Sequence, residues 1–104
     1  MELVIFARFH ARPGNEGAVA EAIIANLAPT REEPGCLEIP AFRSIRDRLL
    51  FYIHSRWKDE AAFEEHVRLP RMIRFVEHVE LLIDHPFDAA RTEQIAETSG
   101  TPHE

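Results

Sequence analysis

From Glu2 to Arg12 the chain alternates. Leu3, Ile5, Ala7, Phe9 and Ala11 fall on one side, and Val4, Phe6, Arg8, His10 and Arg12 on the other. A period of two belongs to a strand, whose successive side chains point to opposite faces, so a first strand with one wholly apolar face is predicted. Pro13-Gly14 breaks it. After Asn15, a fair N-cap, Val19, Ala22, Ile23 and Leu27 recur at helical spacing, with Asn26 inside the same stripe. Pro29 has no amide hydrogen and should kink or end this helix, Thr30–Glu33 adding a turn before Pro34-Gly35 stops it. Cys36–Arg46 reads as a second strand, with Leu37, Ile39, Ala41 and Ile45 on one face. Pro40 removes a ladder donor from its middle, which makes it an edge strand or a bulged one. The polar turn Arg46-Asp47-Arg48 folds it as a hairpin onto a third strand, Leu49–Trp57, which presents Phe51, Ile53, Ser55 and Trp57 on one face.

Asp59 is placed to cap the next helix. At 100° per residue, Leu69, Ala62, His66, Pro70, Phe63 and Val67 share one arc with His66 near its middle, and Glu64, Glu65 and Arg68 lie opposite. Pro70 interrupts the helix, and Met72, Ile73, Val76, Val79 and Leu82 continue a second helical segment. Asp84 to about Arg91 reads as a last short strand. From Thr92 to Glu104 there is no periodicity and little apolar content, the pattern of a mobile tail. The order strand, helix, strand, strand, helix, strand, within one domain of residues 1–91, is that of an α+β, ferredoxin-like βαββαβ fold with an antiparallel sheet and both helices on one face. The other face, with Val4, Phe6, Tyr52 and Phe42 beside Arg8, His10, His54 and Arg56, is left without a helix. It is too aromatic for open solvent, so a homodimer through this face is expected. Its basic residues either pair with carboxylates across the two-fold or bind an anion.

Composition narrows the function classes. With 104 residues the chain makes one compact domain, and its net charge of −6 argues against nucleic acid or an anionic membrane as partner. No apolar run approaches the ~20 residues of a membrane span. A single cysteine, Cys36, leaves no internal disulfide framework, and the first strand begins almost at once with no room for a signal peptide, so a cytoplasmic location is expected. The six histidines show no metal-ligand spacing, and the glycines at 14, 17, 35 and 100 form no phosphate loop, so no metal site is expected. Cys36 has no neighbouring base and reads as a structural thiol.

The candidate chemistry lies where the second helix meets the third strand. His66 and Trp57 should look into the same space. An imidazole there is either a general base able to take a phenolic proton near neutral pH or a core histidine bonded to a backbone carbonyl. Trp57 is either core or an aromatic wall for a flat ring. Asn26 is either a buried group satisfied by backbone or a hydrogen-bonding group in a pocket.

The segments Glu33-Pro34-Gly35-Cys36-Leu37 and Arg56-Trp57-Lys58-Asp59-Glu60-Ala61-Ala62-Phe63, followed by His66 and Leu69-Pro70, together with Val4-Ile5-Phe6-Ala7-Arg8-Phe9 and the Pro13-Gly14 turn, resemble the antibiotic biosynthesis monooxygenase domain family over roughly residues 2–90. The resemblance implies a dimeric α+β barrel, two sheets packed face to face with the helices outside. It also implies a pocket between helices and sheet in each subunit. Some members are cofactor-free oxygenases that turn phenols or hydroquinones into quinones, and relatives degrade haem or isomerise a phosphorylated sugar. Where the family usually has Glu, Tyr and a second His, this chain has Ser55, Ile39 and Arg71. The haem degraders' Asn, Trp and His correspond to Ala7, His66 and roughly Val76, so haem is set aside and no cofactor is expected. What the resemblance implies is a cofactor-independent monooxygenase acting on a small planar aromatic ligand, with His66 as base and Trp57, Ser55, Phe63, Phe42 and Asn26 as binding residues. A non-catalytic ligand-binding dimer is the alternative. Another is an isomerase of a phosphorylated ketone with Arg71 and Arg43 as its cations.

Overall fold

Two partners bracket the strongly alternating first strand. In the computed structural model, which describes residues 1–97, β1 (Leu3–His10) lies between β4 (Leu50–Trp57) and β5 (Asp88–Thr92), antiparallel to both. Opposite residues include Phe9 with Phe51 and Phe6 with His54. The remaining elements are α1 (Glu16–Arg31), β2 (Cys36–Glu38), β3 (Ala41–Arg43), α2 (Glu60–Arg68) and α3 (Pro70–Glu80). The sheet runs β2–β4–β1–β5, with β3 also paired to β4. This is the ferredoxin-like order expected from the alternating elements.

The strand expected over Cys36–Arg46 is two short strands instead. Pro40 cannot donate, yet its carbonyl still accepts the His54 amide at 3.0 Å, so the pairing passes through the break without a regular ladder. The expected common face is lost with it: Ile39 is buried, whereas Leu37 and Ile45 are exposed. Helix α1 runs through Pro29 to Arg31, because only the last turn lies beyond the missing donor. Asn15 occupies the N-cap position of α1 without a side-chain cap bond, whereas Asp59 Oδ1 accepts the Ala62 amide at 2.9 Å and caps α2. Leu69, held extended before Pro70, separates α2 from α3. The last strand begins at Asp88, after Pro86, rather than at Asp84, and Thr92 belongs to it rather than to a tail. The tail expected beyond Thr92 lies for the most part outside the described residues.

Ala7, Phe9, Phe51 and Ile53 from the sheet pack on Val19 and Ile23 of α1 and Val79 of α3 as the main core. A second cluster, Ile5, Trp57, Ala62 and Phe63, joins the sheet to α2. Residues 34 and 35 explain how the turn after α1 comes so near α2. A Cβ on Gly35 would lie 2.3 Å from the Cβ of Ala62, so only glycine allows this approach.

The opposite sheet face carries Phe6, Phe42 and Tyr52, all exposed, with the Phe6 and His54 rings stacked at 4.9 Å. Two of its basic residues, Arg56 and His10, find carboxylates within their own chain. Arg56 bonds Glu2 and Glu38. His10 bonds Asp47 at 2.9 Å and Asp84 at 2.7 Å, which holds its pKa above the usual histidine value and ties the β3–β4 turn to the segment after α3. Among the described residues no helix is long and apolar enough to cross a membrane.

Candidate active site

Alternation along β4 sends Ser55 and Trp57 toward the helices, and the apolar arc of α2 returns His66 onto them. Trp57 is sealed at 1% exposure. Its indole meets the His66 ring at 4.6 Å and the Phe63 ring at 5.6 Å, and its Nε1 donates to Ser55 Oγ at 3.0 Å. The two rings expected to look into one space are in contact, with Trp57 sealed behind His66.

The backbone-carbonyl bond that a core histidine would make is not the one His66 makes; its partner is a side chain. Nδ1 lies 2.9 Å from Glu33 Oε2 and 3.1 Å from Oε1. A carboxylate accepts, so Nδ1 carries the proton and Nε2 is left with a lone pair. Nε2 has no partner among the described residues, and it is not sealed by protein either. Burial lowers the pKa of His66 below the usual histidine value, against the pull of Glu33 and with a smaller push from Arg71. The ring is neutral at neutral pH, the state in which an imidazole can accept a proton.

Arg71 organises the rest. Its Nη2 bonds Glu33 and its Nη1 bonds Asn26 Oδ1 and Thr30 Oγ1, the latter at 3.0 Å. Thr30 in turn donates to the Asn26 carbonyl at 2.7 Å. One guanidinium thus ties the last turns of α1 to the start of α3 and steadies the carboxylate that orients His66.

His66, Ser55 and Asn26 border a cavity of about 330 Å³ between the sheet and the three helices. Ile5, Ala7, Phe9, Ile39, Ile53, Phe63, Met72, Phe75 and Phe87 give it apolar walls, and His66, Ser55 and Asn26 give it polar points. Arg91 of β5 also borders it, its guanidinium 5.1 Å above the Phe63 ring and bonded to Glu60 and Glu64.

Of the residues singled out in the sequence, His66, Ser55, Phe63 and Asn26 line this cavity, and Trp57 stands directly behind His66. Phe42 does not join them. It lies opposite Tyr52 on the helix-free side and borders a separate cleft of about 180 Å³ with Ile24 and Arg43, because alternation along β3 sends it to the face away from Ala41. Arg43 stacks on Phe51 at that cleft, and Arg71 is committed to Glu33, Asn26 and Thr30, so neither offers the cavity a free cation. Glu33 and Arg91 were not anticipated as site residues. The one sequence cue to Glu33 is its place before Pro34-Gly35, where the turn closes on α2. Cys36 is half-buried, and burial followed by the nearby Glu33 charge pushes its thiol pKa up, so it is not an activated nucleophile. Among the described residues no group of three or more His, Cys, Asp or Glu is placed to hold a metal ion.

Comparison with known proteins agrees with this architecture. A comparison with curated proteins gives no significant match. Among solved structures, Rv0793 from Mycobacterium tuberculosis superposes with a TM-score of 0.88 at 24% identity, over 95% of this chain and 100% of that one. PA3566 from Pseudomonas aeruginosa gives 0.84 at 30% identity, over 91% and 95%. A crystal structure described as an antibiotic biosynthesis monooxygenase gives 0.84 at 21% identity, over 90% and 99%. The sequence profile of the family described as antibiotic biosynthesis monooxygenase matches residues 3–78, well over half of the chain and including β1, His66 and Arg71. The chain belongs to the antibiotic biosynthesis monooxygenase family.

Proposed function

We propose that this protein is a cofactor-independent monooxygenase that converts a small planar phenol or hydroquinone into a quinone, with His66 as general base. The observation that carries the reading is the Glu33–His66 pair. A carboxylate fixes the imidazole so that its unpartnered Nε2 lone pair borders an apolar cavity, with the sealed Trp57 indole behind the ring. That is the arrangement a general base needs, in reach of a substrate proton and held in one tautomer. Removing the phenolic proton leaves an electron-rich ring that can reduce dioxygen at its para carbon or, in a hydroquinone, whose para carbon already bears oxygen, at the ortho carbon. One oxygen atom stays as the new carbonyl, the O–O bond breaks, and the other oxygen leaves as water, so that one phenol and one O2 give one quinone and one H2O.

A phosphorylated ketone fits less well, because Arg91, the one cation bordering the cavity among the described residues, is already matched by Glu60 and Glu64. The exposed ring cluster Phe6, Phe42 and Tyr52 supports assembly as a homodimer through the helix-free sheet face. Oxygen uptake on a panel of naphthols and naphthohydroquinones, with quinone detected by mass spectrometry, tests the activity. Turnover should fall by about 10²–10⁴-fold in His66→Ala, the usual worth of a positioned base. Uptake unchanged by that substitution would remove His66 from the mechanism.

A further inference from the structure

Partners that can only donate fix the polarity of the cavity's free polar atoms. Arg71 has no acceptor, so the Asn26 atom facing it is Oδ1, and Nδ2 is the amide atom left over. Trp57 Nε1 likewise only donates, so Ser55 Oγ accepts from it and keeps its own hydrogen to give. Glu33 takes the Nδ1 hydrogen of His66 and leaves the Nε2 lone pair. Two donors and one acceptor therefore border one cavity, and among the described residues no carboxylate lines it to oppose a negative charge there. Arg71 holds the set together, with Asn26 on Nη1 and Glu33, the partner of His66, on Nη2.

We propose that the cavity takes up phenols as their anions. The O–H bond breaks, the proton goes to His66 Nε2, and the oxygen keeps the electron pair, held by Asn26 Nδ2–H and Ser55 Oγ–H. This rests on the reading of the cavity as a phenol site and deepens it, giving Asn26 and Ser55 an oxyanion-binding role and narrowing the substrate class. An ordinary phenol, with a pKa of about 10, sits roughly 3.5 units above a histidine at about 6.5, and burial of His66 widens that gap. Hydrogen bonds to the anion offset part of it. The ligands held as anions are therefore phenols already acidified by a conjugated electron-withdrawing group. Size narrows the class further: the cavity of about 330 Å³ is about twice the ~150 Å³ of an apolar cavity that holds one benzene, which matches two fused rings. The charged groups nearest the site are Glu33 from the turn after α1, Arg71 from α3 and Arg91 from β5 above Phe63. Of these Glu33 bonds the His66 ring.

The probe is 7-hydroxycoumarin, a two-ring phenol whose anion absorbs at longer wavelength than its neutral form, with 7-methoxycoumarin as the ligand that cannot ionise. Titrated against the full chain, bound 7-hydroxycoumarin should ionise about tenfold more readily than the free compound, an apparent pKa lower by about one unit. Asn26→Asp keeps an acceptor for Arg71 but removes the donor, and Ser55→Ala removes the hydroxyl. Each should cancel most of that shift, while the spectrum of bound 7-methoxycoumarin shows no such change with pH in wild type or variants. A neutral spectrum for the bound phenol, or a shift that survives both substitutions, overturns the proposal. If 7-methoxycoumarin binds and His66-dependent oxygen uptake persists beside a neutral spectrum, only the anion proposal falls. If neither coumarin binds, the cavity is not a ligand site and the proposed function falls with it.

Discussion

Replacing Glu33 by Gln changes one atom at the point where three elements meet. The Glu33 side chain is 15% exposed, that of His66 5% and that of Arg71 27%. In the wild type both partners donate to the carboxylate. A glutamine of the same shape offers one accepting oxygen and turns its amide hydrogens on the other donor. The loss is about one charge-assisted hydrogen bond, with a donor left facing a donor, or about 2–3 kcal/mol. At about 5 °C per kcal/mol for a domain of this size, Tm should drop by about 10–15 °C. The effect on His66 is more diagnostic than the stability loss. Burial and Arg71 both lower its pKa and Glu33 raises it, so removing Glu33 should move it further down. Long-range 1H–15N correlation spectra of the imidazole, recorded across pH, read both quantities. The wild type should show the Nδ1–H tautomer with a pKa below 6.5, and Glu33→Gln a lower pKa still. A wild-type Nε2–H tautomer, or a pKa that rises in the variant, would refute the reasoning that Glu33 orients a proton-accepting ring.

Other outcomes follow from the same geometry. Gly35→Ala would push the turn off α2, because the new Cβ meets that of Ala62 at 2.3 Å. It should cost about 1–3 kcal/mol by denaturant unfolding and weaken the Glu33–His66 contact, and an unchanged midpoint would contradict the close approach. The two histidine sites should have opposite pH signatures in thermal melts. His10 has a folded pKa above 6.5, so its contribution is complete below pH 6.5 and is lost as pH rises through the folded value. The Tm gap between wild type and His10→Asn should therefore narrow on the alkaline side, and a widening gap would refute the assignment. His66, with a folded pKa below 6.5, contributes fully above pH 6.5 and its contribution fades as pH falls toward the folded value. Tyr52→Glu on the helix-free sheet face should convert a species of twice the chain mass into one of chain mass in sedimentation. A wild type that sediments as a monomer would end the dimer proposal.

The fold was legible wherever one period held over a whole element. Eight residues of alternation in β1 and in β4, and the arc through Ala62, Phe63 and His66, predict the observed faces because burial enforces them. Legibility ended where proline and tertiary contacts competed with local pattern. Pro40 split a strand, and Pro86 delayed β5. Pro29, by contrast, fell too late in α1 to stop it. In the site, His66 could be found because helical spacing places it. Its partner could not, since Glu33 is 33 positions away and reaches it only through the close packing of Gly35 on α2. Arg71 is five residues from His66, but Pro70 between them removes the helical relation that would have linked the two.

A crystal structure of the complex with 7-hydroxycoumarin tests the central claim most directly. The two rings should lie between Phe63 and the sheet, with the phenolic oxygen about 2.6–3.2 Å from His66 Nε2 and Glu33 still on Nδ1. A ligand seated on the helix-free sheet face, or a cavity filled by its own side chains with Nε2 bonded to protein, would contradict it.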